Sequence, residues 1–468
     1  MKRKMIMVLT LIAGLLIFAA CSGGDNSDSG ETRQPTTQQD TQGTTQDTTQ
    51  DTTTGDETPE APPADEIAAP ASLVPETLDN PNIHIIYWRG ERAYQTSRVT
   101  NPNIWDPVWE TVGMFEERFG GTVNVEFANW NDMIQRMTEL QSAGSPPDLV
   151  MVFDRAMHNL IFQGSLMPLT DFVVDEDFEF WGVGRDLVSW RGEPYAIPWK
   201  PYLTSLMFNR DLLELYGQPM PDELFRAGEW TFERFAEMVM ATTHYVDGNP
   251  VTLGFGSWAG EGLSRFLVAN GSAFMDVNTP AGVVTSGFES QILIDTLDWV
   301  RTWGGGPQSG WVTGADMFGW FEAGGLAFID GHEYGGVEFP FSVGMVPYPR
   351  GPHSPVDTPI VVMPQGMGVP NGASNPEGAV AFMRMLNENW RDNGQRYTVN
   401  LIGQENFNMI YANPNARMVY AFDKSTPNVD FIFGSAINML GDNTPASTIA
   451  ETLNPELIAD INLVFGGN

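Results

Sequence analysis

From Ile83 onward short apolar runs alternate with amphipathic helical stretches, and that alternation admits few folds. Ile83-His84-Ile85-Ile86-Tyr87-Trp88 reads as a first strand, with Arg89-Gly90 beyond its carboxyl end. A helix is predicted over 105–119, because Val108, Trp109, Val112, Phe115 and Phe119 fall on one face; Gly120-Gly121 stops it. Val123-Asn124-Val125-Glu126-Phe127 alternates as a second strand, and Asn131 or Asp132 can cap a helix through Leu140. Leu149-Val150-Met151-Val152-Phe153 is apolar throughout, as a parallel strand buried on both faces must be. Strand alternating with helix implies an α/β sheet with right-handed crossovers. Ligands of such sheets bind beyond the carboxyl ends of the strands, here Trp88-Arg89 and Asp154-Arg155.

The first 79 residues are of another kind. Lys2, Arg3 and Lys4 precede an apolar run from Met5 to Ala20, too short to span a bilayer and suited to a secretory signal. Phe18-Ala19-Ala20-Cys21 resembles the lipobox of bacterial lipoproteins, and Cys21 is the only cysteine of the chain. The resemblance implies cleavage before Cys21 and lipidation of its thiol, which accounts for a lone thiol in an exported protein. Residues 21–79, rich in Thr, Gln, Asp, Ser and Pro, carry too little apolar surface to offset ordering and are expected to be a disordered acidic tether. Some fifty residues of such coil reach about 40 Å on average.

The body from about residue 80 exceeds the size at which a single core stops growing, so two lobes are expected. The net charge of −35 and the scarcity of lysine, confined to Lys2, Lys4, Lys200 and Lys424, exclude a nucleic-acid partner. A helix is expected near 231–242, a glycine-rich turn over 253–262, helices near 291–303 and over 376–387, a proline-rich strand pair over 343–369, and further helix at the C-terminus. Tyr195-Ala196-Ile197-Pro198-Trp199-Lys200-Pro201-Tyr202 looks like a segment passing between lobes. There is no P-loop, no HExxH, no zinc spacing and no proper dinucleotide fingerprint. No cofactor and no metal are expected.

Six motifs in order resemble the extracellular solute-binding proteins of bacterial ABC importers, the branch that contains maltose-binding and other sugar-binding proteins. Ala143-Gly144-Ser145-Pro146-Pro147-Asp148-Leu149 looks like its entry to the third strand, and Gly164-Ser165-Leu166-Met167-Pro168-Leu169 like its "GxLxPL". Tyr195-Ala196-Ile197-Pro198 with Phe208-Asn209-Arg210-Asp211-Leu212-Leu213 is similar to "YaiP…yNkdlL", and Trp230-Thr231-Phe232 to the helix entry after it. Phe321, Gly324, Ala327 and Gly331 resemble "FxxGxxA…G", and Pro347-Tyr348-Pro349-Arg350-Gly351 resembles "PxPxG". The resemblance implies a two-lobed periplasmic-binding-protein-like fold (type II), α/β in both lobes, joined by crossover hinge strands that close on ligand. Carried onto this chain, the first lobe holds 80–200 plus about 360–412, and the second 204–358 plus about 413–468.

The implied function is capture of a sugar or oligosaccharide and delivery to ABC permease subunits by a monomeric lipoprotein on the extracytoplasmic face of the bacterial cell membrane. That makes it a binding protein and not an enzyme. Sugars pair best with aromatic planes and with carboxylates, amides or arginines that fix hydroxyls. Of fourteen tryptophans, Trp105, Trp109, Trp299 and Trp303 lie at helical spacing and are expected in the core. The candidate contacts are Trp88, Arg89, Asp154, Arg155, Trp199, Tyr202, Trp258, Glu261, Asp330 and Tyr334. Trp88-Arg89 reads equally as a surface turn, and Asp154-Arg155 as a salt bridge within its loop. Lys200 reads as a hinge ion-pair partner or a ligand contact, the first favoured. Two alternatives stay open: the same fold binding a peptide, polyamine or other small solute, and a surface glycoside hydrolase using a pair among Glu193, Glu261, Asp330 and Glu333.

Overall fold

The computed structural model describes residues 72–466, apart from 92–94, 96–105, 130–131, 154–156, 180–184, 200–201, 332–338, 358, 364, 395, 397–398, 400–402, 411–416, 421–425 and 427. Two sheets carry the body. The first has five strands in the order Val123–Phe127, Ile83–Tyr87, Leu149–Phe153, Gln365–Gly368 and Ala196–Ile197. Its first three strands are parallel, whereas Gln365–Gly368 runs antiparallel to both its neighbours. In the second sheet Trp311–Thr313, Asn249–Ser257 and Leu326–Gly331 are parallel, and Ser205–Asn209 then inserts antiparallel between Leu326–Gly331 and Val343–Val346. A third sheet, Arg417–Tyr420, Pro359–Met363 and Tyr202–Leu203, joins the segments that cross between them.

Each sheet has its own apolar core. The first gathers Ile85, Val108, Phe115, Val150, Ile197, Met367 and Phe382; the second gathers Phe208, Phe235, Phe255, Phe266, Phe328 and Leu453. Ile360, Val361, Val362, Met409 and Ile410 pack in the second core.

Local chemistry explains the helix boundaries. The helix expected over 105–119 is Pro107–Phe119: Asp106 accepts from the amides of Val108 and Trp109, Pro107 supplies a preset first turn, and Gly120 ends it at φ 72°. Phe232–Thr242 starts at its Thr231 cap, and Pro376–Asn389 starts at Asn375, whose side chain accepts from Gly378. The helix near 291–303 is Gln291–Gly304, and the C-terminal helices are Val429–Gly441 and Ala446–Phe465.

The glycine-rich segment 253–262 is a correction. It is the end of the strand Asn249–Ser257 followed directly by the helix Ala259–Ala269, not a turn. A Cβ on Gly254 would lie 2.5 Å from the Val239 carbonyl oxygen, and one on Gly256 would lie 2.7 Å from the Leu326 side chain. These glycines let neighbouring elements pack tightly on the sheet.

Several motifs serve as scaffold. Buried Asp148 accepts from the amides of His84 (2.9 Å) and Asn375 (3.0 Å), joining the first strand to the start of Pro376–Asn389. Asn209 caps Arg210–Leu215 through the Leu212 amide and donates to the Gly324 carbonyl at 3.3 Å. Trp230 Nε1 donates to the Pro347 carbonyl at 2.8 Å, and the Arg350 amide donates to the Trp230 carbonyl at 3.1 Å.

One buried titratable group makes this scaffold acid-sensitive. His158 lies on the short helix Met157–Phe162 with its ring edge-on to Trp190 at 5.4 Å. Burial pushes its imidazole from an ordinary 6.5 down to about 4. Between those values the unfolded chain binds a proton that the folded chain refuses. This contribution to stability is therefore complete above pH 6.5 and is lost as the pH falls toward 4. Denaturant titrations at pH 7 and pH 4 should show the wild type losing about 3 kcal/mol more than His158→Phe. Equal losses would contradict a neutral buried imidazole.

Candidate functional site

Both sheets present the carboxyl ends of three parallel strands, and the exposed aromatic residues there define the candidate site. In the first sheet Trp88 follows Ile83–Tyr87 and is 37% exposed. The Arg89 guanidinium lies 5.6 Å from the centre of its ring. That guanidinium is also held from below. Its Nη1 is 3.5 Å from Oδ2 of Asp106, and the Arg89 carbonyl accepts from Trp109 Nε1 at 2.9 Å. Asp106 is buried and additionally accepts from the Tyr87 hydroxyl at 3.3 Å. Burial pushes the Asp106 carboxyl up, partly countered by the Arg89 charge and the helix amides. Burial first, then the Asp106 charge, raises the Tyr87 phenol well above its ordinary range. Trp88 and Arg89 thus stand on a fixed base.

The second sheet builds its end differently. Trp258 immediately precedes the helix Ala259–Ala269 and is 43% exposed, edge-on to Phe318 at 6.2 Å. Phe318 comes from Asp316–Glu322, the helix after the neighbouring parallel strand. One turn into Ala259–Ala269, Glu261 accepts from Arg265 Nη2 at 3.1 Å. Arg265 is itself buried. It ion-pairs with Asp330 through Nη1, and its Nη2 lies 3.4 Å from Met363 Sδ in the crossover sheet. Asp330 is only 4% exposed, so it forms the floor under the strand ends, and its Oδ1 has no hydrogen-bond partner among the described residues. Tyr348, packed edge-on against Phe266, is buried nearby in the fold, and burial raises its phenol.

The expected site residues therefore fall into four groups. Trp88 and Arg89 share one base, and Glu261 and Asp330 share Arg265, close in sequence to the exposed Trp258. Trp199 is 5% exposed, edge-on to Trp390 at 6.3 Å, with no acceptor for its Nε1 among the described residues. Tyr202 pairs with Met363 in the crossover sheet, but its side chain lies outside the described residues. Asp154, Arg155, Lys200, Tyr334 and Cys21 also lie outside them.

Of the tryptophans expected in the core, Trp303 is buried, Trp299 stacks on Phe232 at 3.9 Å and Trp109 is half-buried; Trp105 lies outside the described residues. Sequence reasoning missed Asp106, Arg265, Phe318 and Phe127. The Asp-Pro start of a periodic run marks the first, and the i,i+4 spacing from Glu261 marks the second. Among the described residues no cluster of His, Cys, Asp and Glu could hold a metal ion, and no helix is long and apolar enough to cross a membrane.

Two α/β halves, each completed by an antiparallel strand fed in by the crossover, define the type II periplasmic-binding-protein fold. The profile of the bacterial extracellular solute-binding proteins matches residues 98–389, and the chain belongs to that family. The ABC substrate-binding protein Lmo0181 from Listeria monocytogenes, in complex with cycloalternan, is 14% identical with a TM-score of 0.61, over 84% of this chain and 100% of that one. A cyclo/maltodextrin-binding protein complexed with maltotetraose is 16% identical with a TM-score of 0.60, over 81% and 97%. UgpB from Mycobacterium tuberculosis, in complex with glycerophosphocholine, is 16% identical with a TM-score of 0.59, over 82% and 99%. Identities this low speak for the fold alone. No curated protein sequence matches the chain.

Proposed function

We propose that this protein captures a carbohydrate between its two lobes and hands it, chemically unchanged, to the permease of an ABC importer. The observation that carries this reading is the pair of exposed tryptophans, Trp88 and Trp258, at the carboxyl strand ends of the two sheets. Each has a polar partner group beside it: Arg89 on one side, Glu261 with Arg265 on the other. A pyranose offers a C–H face to such a ring and hydroxyls to such charges. The complexes of similar folds with cycloalternan and maltotetraose support it. The lobes close about the strands Tyr202–Leu203 and Pro359–Met363, and ligand favours the closed state because only there do both lobes touch it. The protein acts as a monomer, tethered to the extracytoplasmic membrane face through lipidated Cys21 and the acidic linker.

Thermal-shift screening of the full chain carrying Cys21→Ser, against mono- and oligosaccharides, tests the binding. A true ligand at about 100 times its Kd adds about 2.7 kcal/mol of stability. Trp258→Ala should weaken that ligand by about 1 to 3 kcal/mol while leaving unliganded stability nearly unchanged, since the ring is exposed. No reducing ends should appear on incubation. Their release, abolished by Glu261→Gln, would replace this reading with a hydrolase.

Lipid anchoring has its own test. In cells, Cys21→Ser should move the protein from the membrane fraction to the soluble fraction or the medium. Undiminished membrane retention of the variant contradicts the anchor.

A further inference from the structure

We propose that Phe127 is an additional aromatic platform on the first lobe, and that the carbohydrate is an oligosaccharide long enough to reach it. This rests on the carbohydrate reading above and assigns that site a length.

Phe127 ends the strand Val123–Phe127, whose inward-facing residues Val123 and Val125 pack in the first core. The same face continues to Phe127, yet its side chain is 54% exposed. The register pairs Phe127 with Tyr87, and the Ala128 amide still donates to the Tyr87 carbonyl at 3.1 Å. The strand is therefore held to its last residue, and the exposed ring stands on fixed backbone. One face of that ring is backed by Gly90: a Cβ there would sit 3.4 Å from Cγ and Cδ2 of Phe127. Gly90 follows Arg89, so Phe127 and Trp88 flank the Arg89-Gly90 turn at the carboxyl ends of adjacent parallel strands.

An aromatic ring backed on one side and open on the other is how a protein offers a stacking surface to a sugar. Arg89 lies between the two rings in sequence and charge, available to hydroxyls of units stacked on either. Adjacent strands are separated by about 4.8 Å, close to the dimension of one pyranose ring. A ligand that engages both rings must therefore extend over more than one sugar unit. Phe127 thus discriminates by length, whereas Trp88 and Trp258 are reached by any ligand that fits.

Titration calorimetry on the full chain carrying Cys21→Ser, with matched di-, tri- and tetrasaccharides of the maltose, mannose and xylose types, tests this. In whichever series binds, affinity should rise with chain length. Phe127→Ala should weaken the tetrasaccharide by ~10-fold, leave the disaccharide within about twofold, and be rescued by Phe127→Tyr. Unchanged tetrasaccharide binding in Phe127→Ala, or equal weakening of every length, overturns the platform while leaving the carbohydrate reading intact. Failure of the unaltered ring to bind any of the three series sinks the carbohydrate reading itself, and the platform with it.

Discussion

Everything in this molecule depends on the way the crossing strands complete the sheets. Ser205–Asn209 enters the second sheet antiparallel, and Gln365–Gly368 enters the first in the same sense. Between them, Tyr202–Leu203 and Pro359–Met363 pair with one another, and Thr204 donates both its amide (2.9 Å) and its hydroxyl (3.1 Å) to the Val361 carbonyl. Buried backbone groups need partners, so the strands cannot leave these sheets cheaply. The crossing is consequently short and hydrogen-bonded, while the ends of the parallel strands stay open to a ligand. A hinge of this kind preserves each lobe's internal pairing and confines change to a few residues.

The second lobe ties its ligand-facing edge to that crossing by electrostatics. Arg265, fully buried, serves Glu261 at the start of one helix, Asp330 at the end of one strand, and Met363 in the crossover sheet. Buried charges are costly unless well paired, and their value lies more in fixing geometry than in net stability. Here the arrangement holds a partly exposed carboxylate, Glu261, near Trp258 without leaving Asp330 as an isolated buried charge. The first lobe reaches a similar end through Asp106, which caps a helix, takes the Tyr87 hydroxyl and steadies Arg89. Two different buried carboxylates thus stand behind the two exposed tryptophans.

Much of this architecture was legible in the residues. The apolar runs and caps located the first three strands and the helices that end near Phe119, Thr242 and Asn389, because local periodicity and capping chemistry dominate there. The solute-binding motifs were legible for a structural reason: Asp148, Asn209 and Trp230 make the long-range hydrogen bonds that join the elements. They mark the scaffold and carry no information on the ligand. The misreading of 253–262 has the same root. Gly254 and Gly256 are small because Val239 and Leu326 press on them across hundreds of ångströms of contour, a tertiary demand that imitates a turn locally. Asp330 likewise looked like a surface carboxylate until Arg265, 65 residues earlier, was found against it. Phe127 was read only as a strand residue, since nothing in an alternating pattern distinguishes a ring that ends in solvent.

The central claim is that ligand draws the two lobes together about the crossover. Small-angle X-ray scattering of the full chain carrying Cys21→Ser, with and without a saturating oligosaccharide identified by thermal shift, addresses it directly. The account predicts a smaller radius of gyration on saturation, with the loss confined to wild-type-like affinity conditions. A radius unchanged by a ligand that demonstrably binds would contradict closure between the lobes.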